Sequence, residues 1–140
     1  MTRSVSAINM MMPNHVADLV SRFRGSGSVT ILGVAFKRDT DDARFMSSFS
    51  IRDNLTRKGF IVRMVDTLVT GKDIYQDLFT ASEGSGIWLV VTDHSDYRKI
   101  DLVRLKDIMI ENPLIIDTGG MINRDTLYKH GFEYHWLGRL

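Results

Sequence analysis

Short apolar, strand-like runs alternate with segments of helical period along this chain of 140 residues, and the alternation limits the possible folds more than any other feature. Runs rich in β-branched and aromatic residues predict five strands, at residues 29–34, 60–65, 87–91, 114–116 and 132–137. Strands separated by helices favour a parallel sheet covered on both faces. We therefore predict an α/β fold, a three-layer sandwich of about five mostly parallel strands with helices on both faces. The most apolar run, at 87–91, is expected near the centre of the sheet.

Residues that typically begin or end helices indicate where the helices lie in the remaining chain. Pro13 opens a first helix that extends to about residue 23, and Ser47 or Ser48 is expected to cap a second helix that ends near Gly59. Apolar residues at helical spacing predict three further helices, at 73–81, 100–110 and 123–129. The longest glycine-rich and polar stretches are only of loop length, so we expect a single domain over residues 1–140.

Composition excludes several classes of function. The net charge of +1 gives no electrostatic basis for binding nucleic acid or an anionic membrane. The absence of cysteine rules out disulfides and a cysteine nucleophile within the chain. No apolar run approaches the length of a membrane span, and the N-terminus has no apolar signal core. We therefore expect a cytoplasmic protein with neither nucleic-acid nor membrane partners.

The stretch 29–44, VTILGVAFKRDTDDAR, is the best candidate for a binding site. Ligands of open α/β sheets bind beyond the carboxyl ends of the strands, so Phe36, Lys37 and Arg44 stand where a nucleotide's base, phosphates or ribose would lie. The alternative interpretation is a solvated charged loop.

Other chemistries are weakly indicated. No G-x-G-x-x-G follows a strand, since Gly25 and Gly27 precede one, and this excludes a complete dinucleotide fingerprint. The four histidines lack ligand spacing, so no metal site is predicted. His94 follows the strand at 87–91 and could face a ligand, although a loop histidine bonded to the backbone fits as well.

The acidic residues of the first loop also allow two interpretations. Asp39, Asp41 and Asp42 could act as general bases or magnesium ligands. Close in sequence to Lys37, Arg38 and Arg44, such acidic residues more commonly form ion pairs and helix caps. We predict no catalytic residue in this chain.

Four strings of the sequence resemble, in order and spacing, the C-terminal domain of the UDP-glucose/GDP-mannose dehydrogenase family. They are GVAFKRDTDDAR (33–44), VVTDHSDYRKID (90–101), NPLIIDTGG (112–120) and GFEYHWLGR (131–139). The corresponding family strings run approximately G-x-A-F-K-x-D-T-D-D-x-R-E-S, T-x-H-x-x-[FY], P-x-I-x-D-x-R and G-[FY]-x-Y-x-x-[IL]-G-R. The resemblance implies a Rossmann-like fold for the predicted sandwich.

The resemblance also implies a function that is divided between domains. The resemblance implies an enzyme of three parts. These are an N-terminal NAD-binding domain, a central helical segment that forms the dimer, and a C-terminal domain that holds the UDP part of a UDP-sugar. Family members oxidise a sugar C6 alcohol to a carboxylate through a cysteine-bound intermediate. The resemblance assigns residues 1–24 to the end of the central linker and the first helix, and residues 25–140 to the nucleotide-sugar-binding domain. Because the family's cysteine and NAD fingerprint lie outside this chain, the chain alone should be inactive.

Individual positions carry the resemblance into the binding site. Phe36 and Lys37 match the family's substrate-contacting pair, and Arg44 matches an arginine that reaches NAD on the other domain. Gly119 stands where the family often has a second substrate arginine. The alternative hypothesis is a freestanding, noncatalytic Rossmann-like module that binds a nucleotide or a protein.

Overall fold

The structure, a computed structural model, describes residues 16–24, 27–33, 47–66, 70, 71, 73–91, 100–110, 112–117 and 124–136. The strands are β1 (Ser28–Leu32), β2 (Ile61–Val65), β3 (Ile74–Tyr75), β4 (Ile87–Val90), β5 (Leu114–Asp117) and β6 (Glu133–Trp136). The helices are α1 (16–23), α2 (Ser47–Arg57), α3 (Leu78–Ser82), α4 (Leu102–Ile108) and α5 (Arg124–Lys129).

The six strands of the described residues form one parallel sheet. Its order is β3-β2-β1-β4-β5-β6, which is the strand order of the Rossmann fold. The central pair is β1 and β4, held in register from Val29 opposite Ile87 to Leu32 opposite Val90. The predicted α/β class and the central position of the run at 87–91 are therefore confirmed.

The structure corrects the prediction at the β3 edge. The sheet has six strands where the sequence predicted five, and the helix predicted at 73–81 begins only at Leu78. Ile74 and Tyr75 instead pair in parallel with Met64 and Val65 of β2. Two residues are too few to show the alternating pattern of a strand. The sequence-based prediction therefore included them in the helix that follows.

The two faces of the sheet carry separate apolar clusters. Helices α1 and α2 cover one face through Val16, Val20, Ile51, Leu55 and their neighbours. Helices α3, α4 and α5 cover the other through Leu78, Ala81, Leu105 and Leu127. Successive residues of β4 alternate between the clusters, as expected for a strand buried on both sides. The predicted arrangement of helices on both faces is thus confirmed.

Helix α1 and the adjacent Arg24 contact the rest of the fold through polar as well as apolar side chains. Asp18 forms an ion pair with Lys58 at 2.9 Å, and the Arg24 guanidinium donates to the Asn112 carbonyl at 2.8 Å. Phe23 stacks on His135 with ring centroids 4.1 Å apart. The helix therefore spans from the end of α2 to the β5–β6 side of the sheet. In the described part of the chain, no helix has the length and apolar character needed to cross a membrane.

Candidate functional site

The carboxyl ends of β1 and β4 form the centre of the candidate site. Backbone hydrogen bonds extend the ladder just past both strands, since Val91 donates to the Leu32 carbonyl and Gly33 donates to the Val65 carbonyl, each at 2.9 Å. From this point the chain continues to β2 on one side and to β5 on the other. Such a reversal of direction leaves a crevice above the sheet, which is where open α/β sheets bind ligands.

Gly33 is required by the backbone at this point. It is buried and has a φ of 91°, a conformation that residues with a side chain rarely adopt. Residues 33–46 separate β1 from α2 in the sequence, and Gly33 is the only glycine among them. A dinucleotide site would instead have a tight turn with three glycines leading directly into the helix. The residues between β1 and α2 therefore do not fit the pyrophosphate of NAD as its main binding site.

Two buried carboxylates lie at the same edge, on either side of the central pair. Asp66 follows β2 and Asp117 ends β5, and both are fully buried. The Asp66 backbone N–H donates to the Tyr75 carbonyl at 3.0 Å, and Asp117 Oδ2 accepts a hydrogen bond from the Tyr134 hydroxyl at 3.0 Å. Asp117 belongs to the string NPLIIDTGG (112–120), but neither carboxylate was predicted to be buried. The available signal was an acidic residue directly after an apolar strand.

The predicted binding residues lie outside the part of the chain that the structure describes. This applies to Phe36, Lys37 and Arg44, and also to His94, Gly119 and the acidic residues Asp39, Asp41 and Asp42. The structure describes the strands that precede these segments, β1, β4 and β5. The roles of the predicted binding residues remain predictions.

The described histidines have ordinary structural partners. His130 Nδ1 lies 2.8 Å from the Thr126 carbonyl oxygen, and His135 Nε2 lies 3.4 Å from a Glu133 carboxylate oxygen. Within the described residues, no group of three or more histidine, aspartate or glutamate side chains could hold a metal ion.

A separate cavity of about 460 Å³ opens at the β3 edge of the sheet. It is lined by Arg52, Val62, Arg63, Met64, Asp73, Ile74 and Tyr75. Among the described lining residues, both cationic side chains have partners, because Arg52 pairs with Asp53 at 3.2 Å and Arg63 donates to the Glu83 carbonyl at 2.6 Å. The described residues that line it belong to α2, β2 and β3 or lie next to β3, so the cavity lies at the β3 edge and not at the carboxyl ends of β1 and β4.

Comparison with known proteins matches the chain to one family. The UDP-binding domain of the UDP-glucose/GDP-mannose dehydrogenase family matches residues 30–124, from β1 to the first residue of α5. A UDP-N-acetyl-D-mannosamine dehydrogenase of Methanocaldococcus jannaschii is 30% identical over 142 residues, which cover 97% of this chain and 33% of that protein. A UDP-glucose 6-dehydrogenase of Rhizobium meliloti is 31% identical over 124 residues, which cover 83% of this chain and 28% of that protein.

A solved structure gives the same result. The crystal structure of an NDP-N-acetyl-D-galactosaminuronic acid dehydrogenase from Methanosarcina mazei superposes with a TM-score of 0.81 at 28% identity, over 92% of this chain and 30% of that chain. The chain thus spans about a third of the length of these relatives. The resemblance drawn from the four sequence strings is confirmed. The chain belongs to the UDP-glucose/GDP-mannose dehydrogenase family, in which it corresponds to the UDP-binding domain.

Proposed function

We propose that this chain binds the UDP part of a UDP-sugar for an NAD-dependent nucleotide-sugar 6-dehydrogenase, which oxidises a sugar C6 alcohol to a carboxylate. The observation that carries the proposal is the family match over residues 30–124, which begins in β1 and includes the connection beyond its carboxyl end. Relatives with this domain are named UDP-glucose 6-dehydrogenase and UDP-N-acetyl-D-mannosamine dehydrogenase. A nucleoside diphosphate bound at the β1–β4 crevice agrees with the general position of ligands in such sheets.

Lys37 and Phe36 are the residues proposed to hold the substrate. They come four and three residues after Gly33, at the beginning of the connection that leaves the crevice. A lysine ammonium supplies a compact positive charge for a phosphate, and an aromatic ring offers a face for the nucleotide. Arg44 is proposed to reach NAD, because a guanidinium forms paired hydrogen bonds with a pyrophosphate.

The remaining parts of the enzyme are proposed to lie on other segments. The β1–α2 connection lacks the glycine-rich turn of a dinucleotide site, so NAD is assigned mainly to an N-terminal domain of the same enzyme. A central helical segment is proposed to form the family's dimer. Without a thiol or a hydride-acceptor site, this chain on its own is expected to bind substrate and not to oxidise it.

Calorimetric titration of UDP into the chain and its Lys37→Ala variant tests the substrate role of Lys37. We expect a Kd on the order of 0.1 to 1 mM for the parent chain, because one domain supplies only part of the binding site. Lys37→Ala should lose about 1 to 2 kcal/mol of binding free energy, the effect of removing a charge-assisted hydrogen bond. Arg44→Ala should change UDP binding little, since its proposed partner is NAD.

Lys58→Ala is the matched control. It removes the same charge from the end of α2, where Lys58 pairs with Asp18 away from the crevice. It should leave the affinity for UDP unchanged. Equal weakening by Lys37→Ala and Lys58→Ala would show a general effect of charge and would refute the assignment of Lys37.

A further inference from the structure

Asp117 and Tyr134 form a buried polar pair that apolar packing does not explain. The Tyr134 hydroxyl donates to Asp117 Oδ2 at 3.0 Å, with Asp117 fully buried and Tyr134 only 7% exposed. The other residues of β5 are Leu114, Ile115 and Ile116, all fully buried. A carboxylate at the end of such a strand costs free energy that a valine or isoleucine would not, because it must give up water.

The register of the sheet explains why these two side chains meet. Tyr134 pairs with Ile115, and Asp117 lies two residues further along β5 on the same face. The tyrosine ring therefore packs in the cluster that contains Ile115 and Leu127, while its hydroxyl reaches diagonally to the carboxyl end of β5. The hydrogen bond ties the last residue of β5 to the middle of β6.

Asp117 lies beside the crevice as well as at the strand end. It pairs in register with Val90, the last residue of β4, and β4 is one of the two strands whose carboxyl ends define the crevice. A displacement of Asp117 would therefore shift the backbone next to the proposed nucleotide site. Side chains that hold a binding site in place through hydrogen bonds raise affinity by reducing the cost of ordering that site.

We propose that Asp117 and Tyr134 are a positioning pair, which fixes the carboxyl end of β5 for nucleotide binding without touching the nucleotide. This inference rests on the proposed function, because it assumes that UDP occupies the β1–β4 crevice. It assigns the pair a role in affinity in addition to any contribution to stability.

Tyr134→Phe tests the pair with a matched control, Thr30→Val. Each substitution removes one buried hydroxyl donor and keeps the shape of the side chain. The Thr30 hydroxyl is a suitable match because it is buried in the middle of β1 and donates to the Ala81 carbonyl at 2.8 Å. The melting temperature would be measured for the parent chain and for both variants. Their affinity for UDP would then be measured at a temperature where all three are folded.

We expect both variants to lose stability, and only Tyr134→Phe to raise the Kd for UDP, by about threefold to tenfold, as loss of a hydrogen bond that orders the site would. A Kd that is unchanged in Tyr134→Phe, or raised equally in Thr30→Val, would overturn the positioning role and leave the pair purely structural. Absence of UDP binding by the parent chain would instead overturn the proposed function, and the positioning role with it.

Discussion

Asp77 shows how one side chain sets the boundary of an element. It is the N-cap of α3, and its carboxylate accepts hydrogen bonds from the Thr80 hydroxyl at 2.5 Å and from the backbone N–H groups of Thr80 and Phe79. The hydrogen bond from the Thr80 hydroxyl is the largest of the effects that keep the pKa of Asp77 below its usual value of 3.8. Desolvation opposes this decrease of the pKa, and the two backbone donors and the Arg104 charge add to it.

Asp77→Ala should therefore destabilise the protein in a pH-dependent way. The folded-state pKa is lowered, so the ionised carboxylate adds stability above about pH 4, and this stability is lost as the pH falls through the folded-state pKa. At pH 7 the variant should lose about 1 kcal/mol of unfolding free energy, the usual effect of deleting an N-cap. Urea unfolding at several pH values measures the difference, which should narrow in acid.

Thr80→Val is the companion variant, because it removes the largest cause of the lowered pKa. It should raise the pKa of Asp77 and weaken the pH dependence that Asp77 contributes. A loss of stability in Asp77→Ala that is the same at pH 3 and pH 7 would contradict this account.

Elements of the sheet differ in how well the sequence predicts them. The long apolar runs of β1, β4 and β5 are recognisable because strands buried on both faces read as continuous hydrophobic segments. Strand β3 is not recognisable, since its two residues are defined by pairing with Met64 and Val65 and not by their own pattern. The contact between Asp117 and Tyr134 was equally out of reach, because it depends on the register of β5 and β6.

Strand β4 gives the sharpest test at the scale of elements. Leu89 is fully buried in the cluster under α1 and α2, and Val90 is 1% exposed in the cluster under α3 to α5. Leu89→Asp or Val90→Asp would bury an unpaired charge and should cost more than about 4 kcal/mol, enough to unfold the domain. Thermal melts followed by circular dichroism measure the effect.

Ile61→Asp is the control for this test, because Ile61 lies in β2 but is 65% exposed. It should melt close to the parent chain. If Leu89→Asp or Val90→Asp also melted within a few degrees of the parent, the central position of β4 would be wrong.

At the scale of the whole molecule, the order of the strands links the fold to its proposed ligand. The change of direction between β1 and β4 places the expected ligand crevice at the carboxyl edge, whereas the cavity of about 460 Å³ lies at the β3 edge. The sequence predicted the parallel sheet, whereas its prediction of binding residues after β1 falls outside the described residues. It could not predict this cavity, because Ile74 and Tyr75 of the unpredicted strand β3 line it.

The location of UDP binding tests the account most directly. UDP would be titrated into the isotopically labelled chain, and the backbone amide shifts would be followed by NMR. We predict shifts that saturate with a Kd on the order of 0.1 to 1 mM and centre on the carboxyl edge, at Gly33, Val91 and Asp117 together with Phe36 to Arg38. No shifts at several millimolar UDP, or shifts centred on Val62, Ile74 and Tyr75 at the β3-edge cavity, would contradict the account.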